Sequence, residues 1–393
     1  MSHSPTSTQV QDRGGVWSTL VGQRHVVETL QRAVAGHGMT HAWLFTGPPG
    51  SGRSNAAIAF AAALQCEHGT GCGECHACRT TLAGAHPDVS LTRTEKSVHY
   101  IDDMRALVRR AGLHPVERKW QVMVVEDADR LTKGEETRTS NALLKAIEEP
   151  TPKTVWLLCA PTVEDVLPTI RSRCRNVSLA TPTTEDVARF LVQRDGVAEP
   201  LAVFAARASQ GHIGRARALA RDEQTRIRRR EVVEMPAGLT SLGACLNAAA
   251  NLVDIARGET AALTEQSNAR DLADLEALYG DDRKAKVSRS YRASLRDLEY
   301  SQKQRDKRRV IDVIDRGLMD VMSVYRDAIV LQTGSGELVN EEIREAVAGI
   351  ARRTTPESNI RRIDAIFAAR RQMMEFNTPP LLALESMMVS LKL

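Results

Sequence analysis

The sequence has no apolar run approaching the roughly 18 residues that a helical membrane span requires. Aromatic residues are scarce, at 4% against 42% hydrophobic residues in all, and Ala and Arg carry much of the chain. That balance favours a helix-rich build. Neither sign of charge dominates: 53 basic residues against 49 acidic ones leave a net charge of +4. So mild an excess does not mark a nucleic-acid binder, whose footprint would be a local basic patch. The opening stretch, MSHSPTSTQVQDRGG, lacks the apolar core of a signal peptide, and a cytoplasmic protein is expected. Residues 1 to 15 read as a disordered leader.

What is present is a chain of 393 residues, long enough for two or three domains. Residues 16–180 alternate short apolar runs with helical segments, the pattern of an α/β domain with a parallel sheet. The runs His41–Phe45, Trp120–Val125 and Thr154–Cys159 read as strands buried on both faces. Each leads into a loop, and ligands of open α/β sheets sit at such carboxyl ends. Near Thr181 the pattern changes. Thr183 followed by Asp186 is a helix-capping signature, and Val187, Phe190 and Leu191 form an apolar stripe. Residues 181–235 are expected to form a small helical unit, and residues 236–393 a second, all-helical one.

Seven cysteines are present, and four of them, Cys66, Cys72, Cys75 and Cys78, fall within thirteen residues. Such a cluster in a cytosolic chain suggests a metal rather than disulfides. Four thiolates suit zinc in a closed, structural site; an iron–sulfur cluster is the chemical alternative. His68 and His76 lie within the same segment but find no vacancy beside four sulfurs. This zinc module, residues 66–78, says little about activity.

Gly47-Pro-Pro-Gly50-Ser-Gly52-Arg53-Ser54 follows the first strand and precedes the helical run NAAIAFAAAL. It matches the phosphate-binding P-loop at every fixed position but one. The glycines let backbone N–H groups converge on phosphate oxygens, and Ser54 is the residue type that holds Mg²⁺. Arg53 stands where lysine belongs, and its planar fork replaces a compact ammonium poorly between two phosphates. The acidic tip of the second strand, Glu126-Asp127, reverses the Asp-Glu order of a hydrolysing site and displaces both carboxylates. ATP and Mg²⁺ are therefore doubtful ligands, and a relic loop that has kept its fold but lost its ligand is the plain alternative. Acidic residues capping a solvated turn are the plain alternative for Glu126 and Asp127.

These elements, in this order, resemble the clamp-loader family of AAA+ proteins. The resemblance rests on Leu20-Val-Gly-Gln23, HAWLFTGPPGSGRS, the four-cysteine knob, EDADRLT, SNALLKAIEEP, WLLCAP and Ile170-Arg-Ser172-Arg173-Cys174. It covers residues 16–235 by motif and the rest by position and helicity only. It implies an AAA+ P-loop domain with a zinc knob, a small helical lid and an all-helical collar that holds five subunits in a ring. Within the family, Arg53 and the absence of a hydroxyl at Cys159-Ala160 point to the delta-prime, non-motor type. An ATP-hydrolysing tau/gamma-type subunit is the alternative. A free-standing zinc-dependent nucleic-acid-binding protein would explain the cysteines but neither the P-loop nor the Ser-Arg-Cys triplet.

The resemblance further implies that Ser172 and Arg173 reach across a subunit interface to ATP held by a tau/gamma neighbour. There Arg173 acts as an arginine finger; a solvated basic turn is the reading without the family. Arg215, in Gly211-His-Ile-Gly214-Arg215, occupies the place of the sensor-2 arginine of AAA+ lids, or else forms a surface ion pair. The implied partners are tau/gamma and delta subunits, a sliding clamp and primer–template DNA, in DNA replication. The chain itself would have no polymerase site and little or no ATPase activity. Eleven Lys or Arg against three Asp or Glu between Arg283 and Arg309 suit either a solvated helix face or phosphate contacts.

Overall fold

The computed structural model describes residues 14–92, 101–116, 119–131, 137–279 and 289–393. They fall into two compact units, the first ending at Ala220 and the second running from Arg221 to Leu393. The expected leader lies almost wholly outside the described residues.

The first unit is built on a five-stranded sheet. Its strands are β1 (Ala42–Thr46), β2 (Val89–Thr92), β3 (Gln121–Val125), β4 (Thr154–Ala160) and β5 (Arg175–Ser178). All pairings are parallel and the spatial order is β2-β3-β4-β1-β5. Every residue of β1, β3 and β4 is buried, because helices cover both faces of the sheet. These are the three strands the sequence announces. The edge strands β2 and β5 bury one residue each and so carry no continuous apolar run.

Helices α1 (Arg24–Val34), α2 (Arg53–Gln65), α3 (His76–Leu82), α4 (Ile101–Ala111), α5 (Thr137–Glu148) and α6 (Pro168–Arg171) accompany the sheet. The central α2 is lined with alanines, and its Phe60 meets Trp43 of β1 edge to face at 5.0 Å. Small side chains let α2 lie close on the sheet, and two large rings fill what remains.

Three helices complete this unit: α7 (Thr184–Asp195), α8 (Glu199–Ser209) and α9 (Ile213–Arg221). The expected cap is in place: the Asp186 N–H donates to Thr183 Oγ1 at 3.1 Å, and Gly196, at φ 66°, ends α7. Val187, Phe190 and Leu191 are buried together with alanines of α8.

The second unit is helical throughout its described residues. It opens with α10 (Glu223–Glu234) and contains two long helices, Leu242–Tyr279 and Arg289–Thr333, which run along each other. Three shorter helices, Arg344–Arg353, Pro356–Met374 and Pro380–Ser390, close its core around Leu252, Ile314, Tyr325, Ile350 and Met388. Beyond that core the long pair is held by polar contacts, such as Arg305 on Asp271 at 2.5 Å, and by Tyr279 meeting Tyr291 edge to face at 5.4 Å. Part of the basic stretch is thus used inside the pair; residues 283–288 lie outside the described residues.

Candidate phosphate loop, metal cluster and interface arginine

The loop 47–54 joins β1 to α2, as its sequence requires. Gly50 and Gly52 have φ 83° and 94°, conformations that glycine adopts without strain. Gly52 stands at the N-cap of α2, so the first turn of that helix, with Arg53 and Ser54, faces the loop. Arg53 is turned inward: its Nη1 donates to the Gly47 carbonyl at 2.5 Å. The guanidinium thereby closes the loop with a bond internal to it. The imidazole of His212 lies against Gly50. Its Nδ1 accepts the backbone N–H of Arg215 at 3.2 Å. The structure thus brings residues 47–54 together with the first turn of α9, where Arg215 sits.

Glu126 and Asp127 follow directly on β3. Asp127 has φ 53°, a left-handed backbone uncommon for a residue with a side chain. Cys159, on the neighbouring β4, is buried, and burial pushes its thiol up, with the Glu126 charge adding to the push. Arg53 acts on the same thiol in the opposite direction. The charges of Glu126, Asp127 and Arg53 thus all act on the Cys159 thiol at the carboxyl edge of the sheet.

The four clustered cysteines converge. Their Sγ atoms all lie within 4.8 Å of one another, with Cys66 to Cys72 at 3.7 Å and Cys66 to Cys75 at 4.0 Å. A tetrahedral ion with sulfur ligands at ~2.3 Å would space them ~3.8 Å apart. Backbone N–H groups of Cys72, Cys75 and Cys78 point at the sulfurs of Cys66, Cys72 and Cys75 at 3.4–3.5 Å. Burial pushes the Cys66 thiol up, but N–H groups of Cys72, Thr70, His68 and Gly71 outweigh it and hold it down to about 5. Burial pushes Cys78 the other way, above the usual thiol range. Four sulfurs so close cannot all ionise without a cation among them. The residues fit a metal such as zinc, and neither His68 nor His76 joins the group.

Local structure explains the convergence. Cys66 ends α2 and Cys75 caps α3, so two helix termini face each other. Lys119 donates to the carbonyls of Gln65 and Cys66 at 3.2 and 2.5 Å, and Trp17 Nε1 donates to the Thr70 carbonyl at 2.8 Å.

Ser172 and Arg173 lie in the turn between α6 and β5. Ser172 Oγ donates to the Thr169 carbonyl at 3.2 Å. Arg173 is half-exposed and pairs with Glu148, the last residue of α5, at 2.7 Å. Two residues on, Arg175 is used differently: it donates to the Gly38 carbonyl at 2.5 Å and stacks over Trp43 at 4.9 Å. Cys174 packs inward, and burial has its thiol pushed up to about 12. Sequence reasoning singled out neither Glu148 nor His212, although both stand inside quoted motifs. The carboxylate that Arg173 meets is not marked by spacing alone.

Residues 22–183 match the protein family described as DNA polymerase III, delta subunit. Over 199 residues the chain is 32% identical to the DNA polymerase III subunit gamma/tau of Mycobacterium bovis, covering 49% of this chain and 34% of that one. Over 175 residues it is 35% identical to the DNA polymerase III subunit delta' of Yersinia pestis, covering 42% of this chain and 50% of that one. The chain thus spans half or less of the length of these two relatives. A solved structure of a DNA polymerase III gamma subunit-related protein from Thermotoga maritima is also similar. It is 14% identical with a TM-score of 0.36, over 89% of this chain and 99% of that one.

Proposed function

We propose that this chain, whose residues 22–183 belong to the DNA polymerase III clamp-loader family, is a non-motor subunit of the delta-prime type. In this reading it joins tau/gamma-type and delta-type subunits in a ring, takes part in loading a sliding clamp on primed DNA, and does not turn over ATP itself. Residues 16–180 would be its AAA+ domain. The lid, expected from the sequence at 181–235, would end near Ala220 because α10 packs in the second unit, and residues 221–393 would be the collar.

The observation that carries the reading is the bond from Arg53 Nη1 to the Gly47 carbonyl at 2.5 Å. A motor subunit needs a cation at this position directed at the nucleotide phosphates. Here the cation is committed to the loop's own backbone. The Glu126-Asp127 order supports the same conclusion, since each carboxylate is displaced from the role it would serve.

The work then falls to Arg173. Presented to ATP on an adjoining subunit, its guanidinium would stabilise charge building on the transferring phosphoryl group, an effect of about 10³–10⁵ in rate. Ser172 would orient it. Cys66, Cys72, Cys75 and Cys78 would hold a structural zinc, which supplies folding energy to the knob and no catalytic step.

A tau/gamma-type ATPase is the second reading, favoured by the 32% identity to a gamma/tau subunit. Equilibrium binding of Mg-ATP to the isolated chain, with bound nucleotide analysed for ADP, separates the two. The expected result is no saturable binding and no ADP; tight binding with turnover would overturn the non-motor reading.

A further inference from the structure

Resting on the reading of Arg173 as a group that acts across a subunit boundary, we propose that Glu148 is its latch, holding it in the unassembled chain and setting how readily a neighbouring nucleotide acquires it. Arg173 Nη2 meets Glu148 Oε1 at 2.7 Å, with 39% and 44% of the two side chains exposed. Nη1 is used on the same chain as well, donating to the Thr169 carbonyl at 2.7 Å and to Ser172 Oγ at 3.2 Å. The guanidinium therefore has a defined resting place built from a carboxylate, a carbonyl and a hydroxyl. Arg175, by contrast, is spent on a backbone carbonyl and an aromatic face. Of these two arginines, Arg173 is the one whose holder is an exposed anion.

The chemistry of the holder matters. A carboxylate oxygen presents to Nη2 the same sign of charge and the same acceptor geometry as a phosphate oxygen. Replacing one by the other exchanges like for like. The ion pair is exposed to water on both sides, so it holds Arg173 only weakly. Charge on a phosphate enclosed between subunits attracts the same guanidinium far more strongly. The weak holder gives way to the strong one, and until then the arginine is kept from wandering over its several rotamers. The consequence is competition. Whatever stability the latched state has is subtracted from the affinity of the assembled site for ATP, whereas the rate from bound ATP stays nearly the same once Arg173 has been delivered.

The experiment uses the assembled complex, with only the nucleotide site adjoining this chain left competent. Steady-state ATPase is measured with the wild-type chain, E148Q, E148D, E149Q, R173A and the double variant E148Q/R173A. Removing the latch is expected to lower KM for ATP by about two- to fivefold, the range open to an exposed pair, with kcat within about twofold. E148D, which keeps the charge on a shorter arm, falls between wild type and E148Q. E149Q, which removes the adjacent charge without touching the latch, changes neither constant. R173A lowers kcat by about 10³, and the double variant behaves as R173A alone. A loss of activity in R173A with KM unchanged in E148Q, or with kcat rather than KM altered there, overturns the latch and leaves Arg173 its role. If R173A has no effect, the reading of Arg173 itself fails, and the latch fails with it.

Discussion

The imidazole of His212 lies so close over Gly50 that a Cβ placed on that glycine would fall 2.3 Å from the ring's Cγ. The ring cannot simply rotate away, because its Nδ1 accepts the N–H of Arg215 at the start of α9. The phosphate loop and the turn bearing Arg215 are therefore packed on one another within the first unit. Arg53 and His212 thus each engage the loop, one at the Gly47 carbonyl and the other at Gly50.

A methyl group at Gly50 meets both an occupied position and a backbone at φ 83°. G50A is expected to destabilise the first unit by about 1–3 kcal/mol, from overpacking and backbone strain together. H212A in the same chain removes the ring but leaves its Cβ 2.6 Å from the new methyl, so it returns only part of the loss; the remaining overlap and about 1 kcal/mol of backbone strain persist. Chemical denaturation of the two variants and the double variant measures the coupling.

Removal of metal tests the cysteine cluster. Elemental analysis of the purified chain is expected to find one zinc per chain, released when a mercurial reagent titrates the thiols. C72S, which removes one ligand without opening the buried interior, should lose the metal and lower the thermal midpoint, because metal binding here is folding free energy. A chain that carries no metal and melts unchanged as C72S would remove zinc from the account.

Arg173 and Arg175 should separate cleanly. R175A loses a bond to the Gly38 carbonyl and the stack on Trp43, together about 1–2 kcal/mol of stability, and leaves neighbour ATPase in the assembled complex unaltered. R173A should show the reverse, with stability within about 0.5 kcal/mol of wild type. Thermal unfolding and ATPase measured on the same two variants decide the matter.

In the second unit, Arg229 is nearly inaccessible, at 4% exposure, and meets Asp320 at 3.3 Å and Glu342 at 2.5 Å. Its Nη2 also donates to Asn340 Oδ1 at 2.5 Å, and Asn340 in turn donates through its backbone N–H to the buried Asp327 at 2.7 Å. R229A removes the buried cation that meets Asp320 and Glu342 and is expected to cost about 3–5 kcal/mol. A shift of the second unit's urea unfolding transition, with the first unit's unchanged, is the readout.

The three central strands were legible because double-sided burial writes a continuous apolar run into β1, β3 and β4. The edge strands β2 and β5 were not, because each buries a single residue and draws its stability from hydrogen bonds to a neighbour rather than from its own side chains. The cap of α7 was legible for a local reason as well: Thr183 and Asp186 are three residues apart, and Thr183 Oγ1 accepts the Asp186 backbone N–H and donates to its carboxylate without help from elsewhere. The cysteine spacing was equally local, since all four sulfurs fall within thirteen residues.

What each arginine does was not legible. Arg173 and Arg175 are two residues apart and chemically identical, yet one rests on Glu148 and the other reaches a carbonyl 137 residues away in sequence. Arg53 could equally have faced outward toward a phosphate. By itself the sequence determined the strand–loop–helix scaffold, the backbone of the glycine loop and the grouping of the four cysteines, because burial periodicity, glycine torsions and short spacings act within a few residues. The tertiary structure alone decided which anion or carbonyl each long cationic side chain meets. Such a side chain has many rotamers of similar energy, and the choice among them falls to groups that only the fold brings within reach.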